Sequence, residues 1–328
     1  MIPLAGMGRP SVRRRRHALS NALKFTVNGN HFVHAGGLSS MVPFAKEADR
    51  LGYDYLRLLD HVVGVDAEKH GGIDKTPYTA QSELLEVFTL IAYLSAITER
   101  LGYMTGVLGL PARQTALVAK QAAQVDILCG GRFVMGVGIG YNPVEFEAME
   151  FNFKERAPRI EEQIHVLRQL WTGESVTFEG RWHHLRDVNV NPAPPARSIP
   201  IWMGGGRTDA PVPPPAVLNR VGRLADGFMP LFRIDDATGK LPDDQIAALD
   251  VVRAAMSEAR RDPATLGLEI SLHPHGKDRH QVMAEIDYLR SVGVTNVHLR
   301  FPPDPLEAQL DYIRDFAELR DAYVKASA

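Results

Sequence analysis

The chain has 328 residues, 45% of them hydrophobic and 23% charged, with a formal net charge of −2. These values suit either two medium domains or one large α/β barrel with a sizeable core. They argue against a nucleic-acid or anionic-membrane surface for the body of the protein, no apolar run reaches transmembrane length, and the single cysteine, Cys129, excludes an internal disulfide.

A cytosolic enzyme is the default expectation. No catalytic-cysteine signature surrounds Cys129, so it reads as a small residue at a helix end rather than a nucleophile. Residues 1–22 carry Arg9 and Arg13 to Arg16 without an acidic residue and read as a disordered basic extension. That composition fits a transit peptide but not a signal peptide, since no apolar region follows the arginines. The remainder, 23–328, reads as one domain.

Strand and helix patterns alternate from there. LKFTVN (23–28) is a first strand, and SSMVPFAKEADRLG (39–52) a helix ending at glycine. DYLRLL (54–59) is strand two; after a Gly-, Asp- and Pro-rich loop comes a helix over 82–100, with Ser82 suited to cap it. LGYMTGVLGL (101–110) is strand three, followed by a helix over 115–130.

Residues 130–142, GGRFVMGVGIGYN, raise the question of a phosphate loop. A dinucleotide fingerprint would need a small residue where Tyr141 stands, and the Gly-Lys-Ser/Thr of a Walker loop is absent. With period two, Phe133, Met135, Val137 and Ile139 fall on one face, and Val134, Gly136, Gly138 and Gly140 on the other. This is strand four, with one apolar and one stripped face, and glycines inside a strand mark close approach to the backbone.

A helix over 155–171, a hairpin over 176–195 turning at Glu179-Gly180, strand five (199–205) and a helix over 214–227 follow. Strand six (227–232), a helix (243–261), strand seven (266–274), a helix (279–293), strand eight (294–301) and a helix (305–325) complete the pattern. Eight β–α pairs with helical crossovers imply a (β/α)8 TIM barrel, with insertions between strands four and five and in the C-terminal half. An open doubly wound sheet is disfavoured because no glycine fingerprint follows strand one.

In such a barrel the chemistry sits just after each strand. That selects Asp60 and His61, Gly106 to Arg113, Gly138 to Asn142, Gly204 to Gly206, Pro230, His273, His275, His298 and Arg300. Two of these segments are glycine-rich, and bare amides there suit a phosphate-bearing cofactor. His273 and His275 share a strand face, but no carboxylate accompanies them, so no metal is expected. His183 and His184 lie in the hairpin and read as surface residues. Arg300 suits either an anionic substrate group or an acid in the core.

EADRLGYDYLRLLDH (47–61), residues 101–149, RIEEQIHVLRQLW (159–171) and IPIWMGGG (199–206) together resemble the bacterial luciferase-like flavin and deazaflavin oxidoreductases, nearest the branch that uses coenzyme F420. The resemblance spans residues 23–325 and implies the same barrel. It implies a cis peptide at Gly106-Val107 behind the cofactor ring, and contacts to the cofactor's ribityl phosphate from Gly138, Gly140, Tyr141, Asn142, Gly204, Gly205 and Gly206. It also matches Asp60-His61 to an acid–histidine pair at the bottom of the active site. His61 then serves as general acid or base, with Asp60 orienting its ring. The sugar-phosphate dehydrogenases of the family carry an acid where this chain has Tyr141, which argues against a sugar-phosphate substrate.

The reading that follows is an oxidoreductase moving hydride between F420 and a small organic substrate. The alternatives are an FMN-dependent monooxygenase fed by a partner reductase, and a flavin-binding protein without turnover. Relatives often dimerise, and the helices after strands two and three are the candidate interface.

Overall fold

The period-two stretches all become strands, and every strand of the main sheet is parallel to its neighbours. The computed structural model describes residues 22–29, 36–70 and 78–326; residues 1–21 of the expected basic extension lie outside them. The main-sheet strands are β1 (Lys24–Asn28), β2 (Tyr55–Leu58), β3 (Gly102–Thr105), β4 (Leu108–Gly109), β5 (Phe133–Gly138), β8 (Ile201–Gly205), β9 (Gly227–Pro230), β10 (Gly267–Leu272) and β11 (Asn296–Leu299). Their order is β3-β2-β1-β11-β10-β9-β8-β5, and pairing of β3 with β5 closes the circle. Strands β3 and β4 are two halves of one strand, interrupted at Gly106-Val107, so the barrel has the eight positions expected.

The helices are α1 (Gly37–Leu51), α2 (Val87–Ser95), α3 (Thr115–Leu128), α4 (Pro143–Ala148), α5 (Arg156–Trp171), α6 (Pro215–Leu224), α7 (Asp243–Glu258), α8 (Arg279–Ser291) and α9 (Leu306–Ala326). The insertion after the fourth strand is the antiparallel hairpin of β6 (Val176–Glu179) and β7 (His184–Val188). Two boundaries differ from expectation. Helix α2 starts four residues later than Ser82 allows, because the Glu86 carboxylate caps it by accepting the Thr89 N–H at 2.7 Å. The short α4, capped by Asn142, lies in a stretch expected to be a loop.

The alternation read in 133–139 divides the barrel into two layers. Phe133, Met135 and Val137 join the large apolar layer between strands and helices, with Phe25, Val27, Ile201, Leu268 and Val297. The opposite face points inward, where Tyr55, Met104, Val134 and Met229 form a small separate apolar plug. Trp202 packs with them, in space left by Gly227 and Gly267, whose Cβ atoms would overlap its indole.

Burial explains two residues far from the mouth. Cys129 ends α3 with its thiol pushed up to about 12 by burial, so it is inert at neutral pH. Asp126, on the same turn, is buried and accepts the Phe133 N–H at 3.3 Å, and burial raises its carboxyl to about 6. The folded protein therefore keeps a proton there that the unfolded chain releases near pH 4. Stability falls as pH rises between those two values, and the penalty is complete above them. Asp126→Asn, which keeps the acceptor and removes the charge, is expected to raise the melting temperature at about pH 8, by up to about 2–3 kcal/mol of stability, with little effect at about pH 4.

Candidate active site

The inward row at the C-terminal ends of the strands has two unlike halves. On the side of β3, β5 and β8 it is nearly bare. Gly136 has no room for a side chain, because a Cβ would overlap the Thr105 carbonyl oxygen. Cβ atoms on Gly138 and Gly204 would come within 2.8 and 2.9 Å of the Val107 methyls. Gly106 is closed off by Arg57, and the Gly106-Val107 peptide is cis, as the resemblance implied. Val107 thus stands as a low ridge with bare backbone on both sides, a wall that a flat ring can lie against.

That geometry separates two kinds of glycine by experiment. Gly136→Ala meets backbone and is expected to destabilise the fold by about 3 kcal/mol or more. Gly204→Ala meets only the methyls of a half-buried valine, so the fold should hold while Val107 is pushed into the mouth. Thermal unfolding reads the first effect, and cofactor titration of the second should show affinity reduced about tenfold.

On the side of β9, β10, β11, β1 and β2 the row is polar. Arg57 is buried and donates to Glu269 Oε1 at 2.7 Å, to His298 Nδ1 at 3.1 Å and to the Gly106 carbonyl at 3.4 Å. Burial pushes the Glu269 carboxyl up against the pull of Arg57. Asn296 bridges Thr26 and Glu269, completing a buried polar floor. Register sets the next level: Arg233 pairs with Ser271, and Ser271 with His298, so all three face inward. Two residues further along their strands stand His273 and Arg300, both exposed at the mouth.

A third group lies on the loops. The His61 ring packs on Tyr78, with centroids 3.8 Å apart and planes tilted by 34°, and meets the edge of Tyr141 at 5.8 Å. Asn142 donates to the Tyr78 hydroxyl at 2.8 Å while capping α4, so it fixes the aromatic pair and the helix together. Glu145, one turn into α4, bonds His61 Nδ1 at 3.2 Å with one oxygen and accepts the Val62 N–H at 2.6 Å with the other. His61 also borders a cleft with Gly29, Leu58, Leu59 and Glu83.

The expected roles are therefore partly redistributed. Asp60 does not orient His61: it is buried and paired with Arg113 at 2.6 Å, and Arg113 also approaches Glu86 at 3.6 Å, which ties the loops after β2 and β4 to the start of α2. The carboxylate at His61 is Glu145. Helix α4, unread in the sequence, is what delivers Glu145 to the ring. Tyr78 was missed, and Arg113, on the rim as expected, had no role assigned, since each becomes visible only through its partner.

Of the glycines, Gly138 and Gly204 flank Val107. Gly140 and Gly206 are left-handed and packed on Phe146 and on the Pro211 carbonyl, while Gly205 faces Pro213, Phe228 and Val217. His183 is a correction: it is buried, held by Glu162 at 2.7 Å and by Thr115, whereas His184 is exposed beside Glu179. His273 and His275 part company, because His275 turns onto the Tyr312 ring at 4.9 Å.

The profile of the luciferase-like monooxygenases matches residues 23–326. An uncharacterized protein of Mycobacterium tuberculosis is 32% identical over 293 residues, covering 84% of this chain and 93% of its own. The F420-dependent glucose-6-phosphate dehydrogenase of Microbacterium testaceum is 26% identical over 281 residues, 83% of this chain and 75% of its own. Among solved structures, monooxygenase RslO1 of Streptomyces bottropensis superposes with a TM-score of 0.70 at 22% identity, over 90% of this chain and 98% of that one. With a closed parallel barrel and a family profile that covers nearly all of its described length, the chain belongs to the luciferase-like monooxygenase family, whose members include F420-dependent oxidoreductases.

Proposed function

We propose that the protein is an oxidoreductase that moves hydride between coenzyme F420 and a small organic substrate bound over the polar half of the barrel mouth. The observation that carries the reading is the division of the mouth, with a bare wall around Val107 facing a polar half that holds Arg233, His298 and Arg300. A bound deazaflavin would supply hydride chemistry at one ring carbon and nothing else; binding, orientation and proton movement fall to the protein. The bare backbone around Gly106, Val107, Gly138 and Gly204 supports a flat ring there, whereas Asn142, buried and committed to Tyr78 and to the cap of α4, would act on a cofactor only through Tyr78 and Tyr141.

His61 is the proton-transfer group. A carboxylate accepts the Nδ1 proton, so Glu145 leaves Nε2 as the basic nitrogen of the ring. In substrate oxidation that nitrogen takes the alcohol proton, and in reduction it returns it. Tyr78, packed on one face, and Glu145, at the edge, limit rotation of the ring, and a positioned base is worth far more than a mobile one. Asp60 and Arg113 support this loop from below without touching the reacting atoms.

The experiment is titration of the purified protein with F420 and with FMN. Saturable F420 binding is the expected result, followed by F420-linked turnover in a screen of small alcohols and carbonyl compounds. Tight FMN binding without F420 binding would replace this reading by that of an FMN-dependent monooxygenase served by a partner reductase. Binding of either cofactor with no turnover in the screen would leave a cofactor-binding protein.

Exposed side chains support a homodimer. Tyr93 of α2 and Leu117 and Leu128 of α3 are open to solvent on two helices that pack side by side. Leu117→Asp is expected to halve the mass measured by light scattering during gel filtration; a wild-type protein that is already monomeric would dispose of the interface.

A further inference from the structure

The cations of the polar half are not evenly matched by acids. Arg57 has Glu269, and Lys277 has both Asp236 and Glu285 at 2.8 Å. Among the described residues the Arg233 side chain bonds only the Thr208 carbonyl, at 3.2 Å, and the Arg300 side chain makes no hydrogen bond or ion pair. Register thus brings two guanidiniums to the same inward side of the mouth, and neither is paired with an acid among the described residues. The neighbourhood responds accordingly. The surrounding protein, then Arg57 and Arg233, lower the Arg300 guanidinium from its ordinary value, and burial followed by Arg300, Lys277 and Arg233 lowers His273 to about 4.

An independent observation points to the same place. His298 is 2% exposed, and its Nε2 has no hydrogen-bond partner among the described residues. Its tautomer follows from Arg57: a guanidinium only donates, so Nδ1, 3.1 Å from it, must accept. Burial and the adjacent arginines hold the ring neutral, so its one proton is on Nε2. An N–H buried without an acceptor is costly, and a native structure that keeps one usually has an acceptor to offer it. His298 therefore presents the opposite face of imidazole chemistry from His61, an Nε2 donor where His61 has an Nε2 acceptor.

We propose that Arg233, Arg300 and the Nε2–H of His298 form an oxyanion subsite, and that the substrate of this enzyme carries a carboxylate or phosphate that this subsite holds while the reacting carbon faces the Val107 wall. The inference rests on the oxidoreductase reading for the word substrate, but not for the subsite. Both cations are on strand ends or immediately beyond them, so the anion is located against the rigid barrel rather than a loop. Arginine suits the task because its planar fork meets two oxygens at once.

The test uses the full chain, with inorganic phosphate and malonate as probes and calorimetry as readout, beside F420 titration by fluorescence. Saturable binding of one probe is expected, weakened about tenfold or more by Arg300→Gln and by Arg233→Gln, as loss of a charge-assisted bond implies. F420 affinity should stay within about twofold in both variants, since the proposal assigns neither arginine to the cofactor. In 15N-labelled protein the His298 ring should show a protonated Nε2 whose resonance moves on probe addition.

Absence of saturable probe binding in the wild type, or variants that bind the probes as well as the wild type does, would overturn the subsite. Parallel loss of F420 and probe binding in folded variants would assign the arginines to the cofactor's own phosphate and overturn the substrate assignment. Arginine-dependent probe binding in a protein that binds no F420 would uphold the subsite while sinking the F420 reading.

Discussion

Replacing His61 by asparagine is expected to lower kcat by about 10²–10⁴-fold while cofactor affinity changes by no more than about twofold. The split follows from position. His61 is anchored through Nδ1 to Glu145 and packed on Tyr78, so its contacts are with the loop cluster and not with the bare wall around Val107. Asparagine restores a donor near Glu145 but supplies no basic nitrogen, so a structural role would be largely preserved and a proton-transfer role abolished. Glu145→Gln should cost less, about tenfold, because its one amide oxygen can still accept the Nδ1 proton, although the Val62 N–H loses its separate acceptor. Steady-state kinetics with the substrate found by the F420-linked screen checks both; a His61→Asn enzyme with wild-type kcat would remove His61 from the chemistry.

The largest effect on stability is expected from Arg57→Met. Arg57 offsets the charge of a fully buried carboxylate, and removing one member of such a pair typically costs about 3–5 kcal/mol because the other is left uncompensated. Glu269 is already raised by burial even with Arg57 beside it, and without Arg57 its carboxyl is held higher still. The folded variant then retains a proton that the unfolded chain has released, so its stability declines as pH rises above the ordinary glutamate value. Urea unfolding at about pH 5 and about pH 8 should show the deficit growing with pH, and Arg57→Met combined with Glu269→Met should recover most of it, since paired removal leaves no orphan charge. A single variant as stable as the wild type at both values would show that the pair does not carry charge across the barrel. Arg57→Met should also leave Ser271 Oγ, at 3.4 Å, as the remaining partner of His298 Nδ1, which links the floor of the barrel to the donor that faces its mouth.

Much of the fold was legible in the sequence because hydrophobic periodicity is a local property. The alternation in 133–139 assigned Phe133, Met135 and Val137 to one layer and Gly136 and Gly138 to the other, and pairing with β3 and β8 places them so. The length of each helical stretch required parallel crossovers, and eight of them left closure as the economical solution. Boundaries were less legible where a long-range partner sets them: the start of α2 depends on the Glu86 cap, and α4 on an asparagine shared with Tyr78.

The glycine-rich stretch shows where the local argument stops. The alternation alone indicated that something approaches the backbone at Gly136 and Gly138, but not what, and Gly204 was legible only as a bare amide on the rim. At Gly136 it is the Thr105 carbonyl, and at Gly138 and Gly204 it is Val107, contacts between strands that are about 30 to 100 residues apart in sequence. Gly140 serves a left-handed turn over Phe146.

The sequence by itself determined the element order, the closed parallel barrel, the rim on which chemistry is found and the identity of His61 and Arg300 as rim residues. Only the tertiary structure decided who partners whom: Asp60 with Arg113, His61 with Glu145, Arg57 with Glu269 and His298, and Arg300 with no acid among the described residues. The reason is physical. Periodicity is set by the backbone geometry of a single segment, whereas a charge or a ring nitrogen takes its character from groups on other strands, and closing the barrel is what brings those groups within reach.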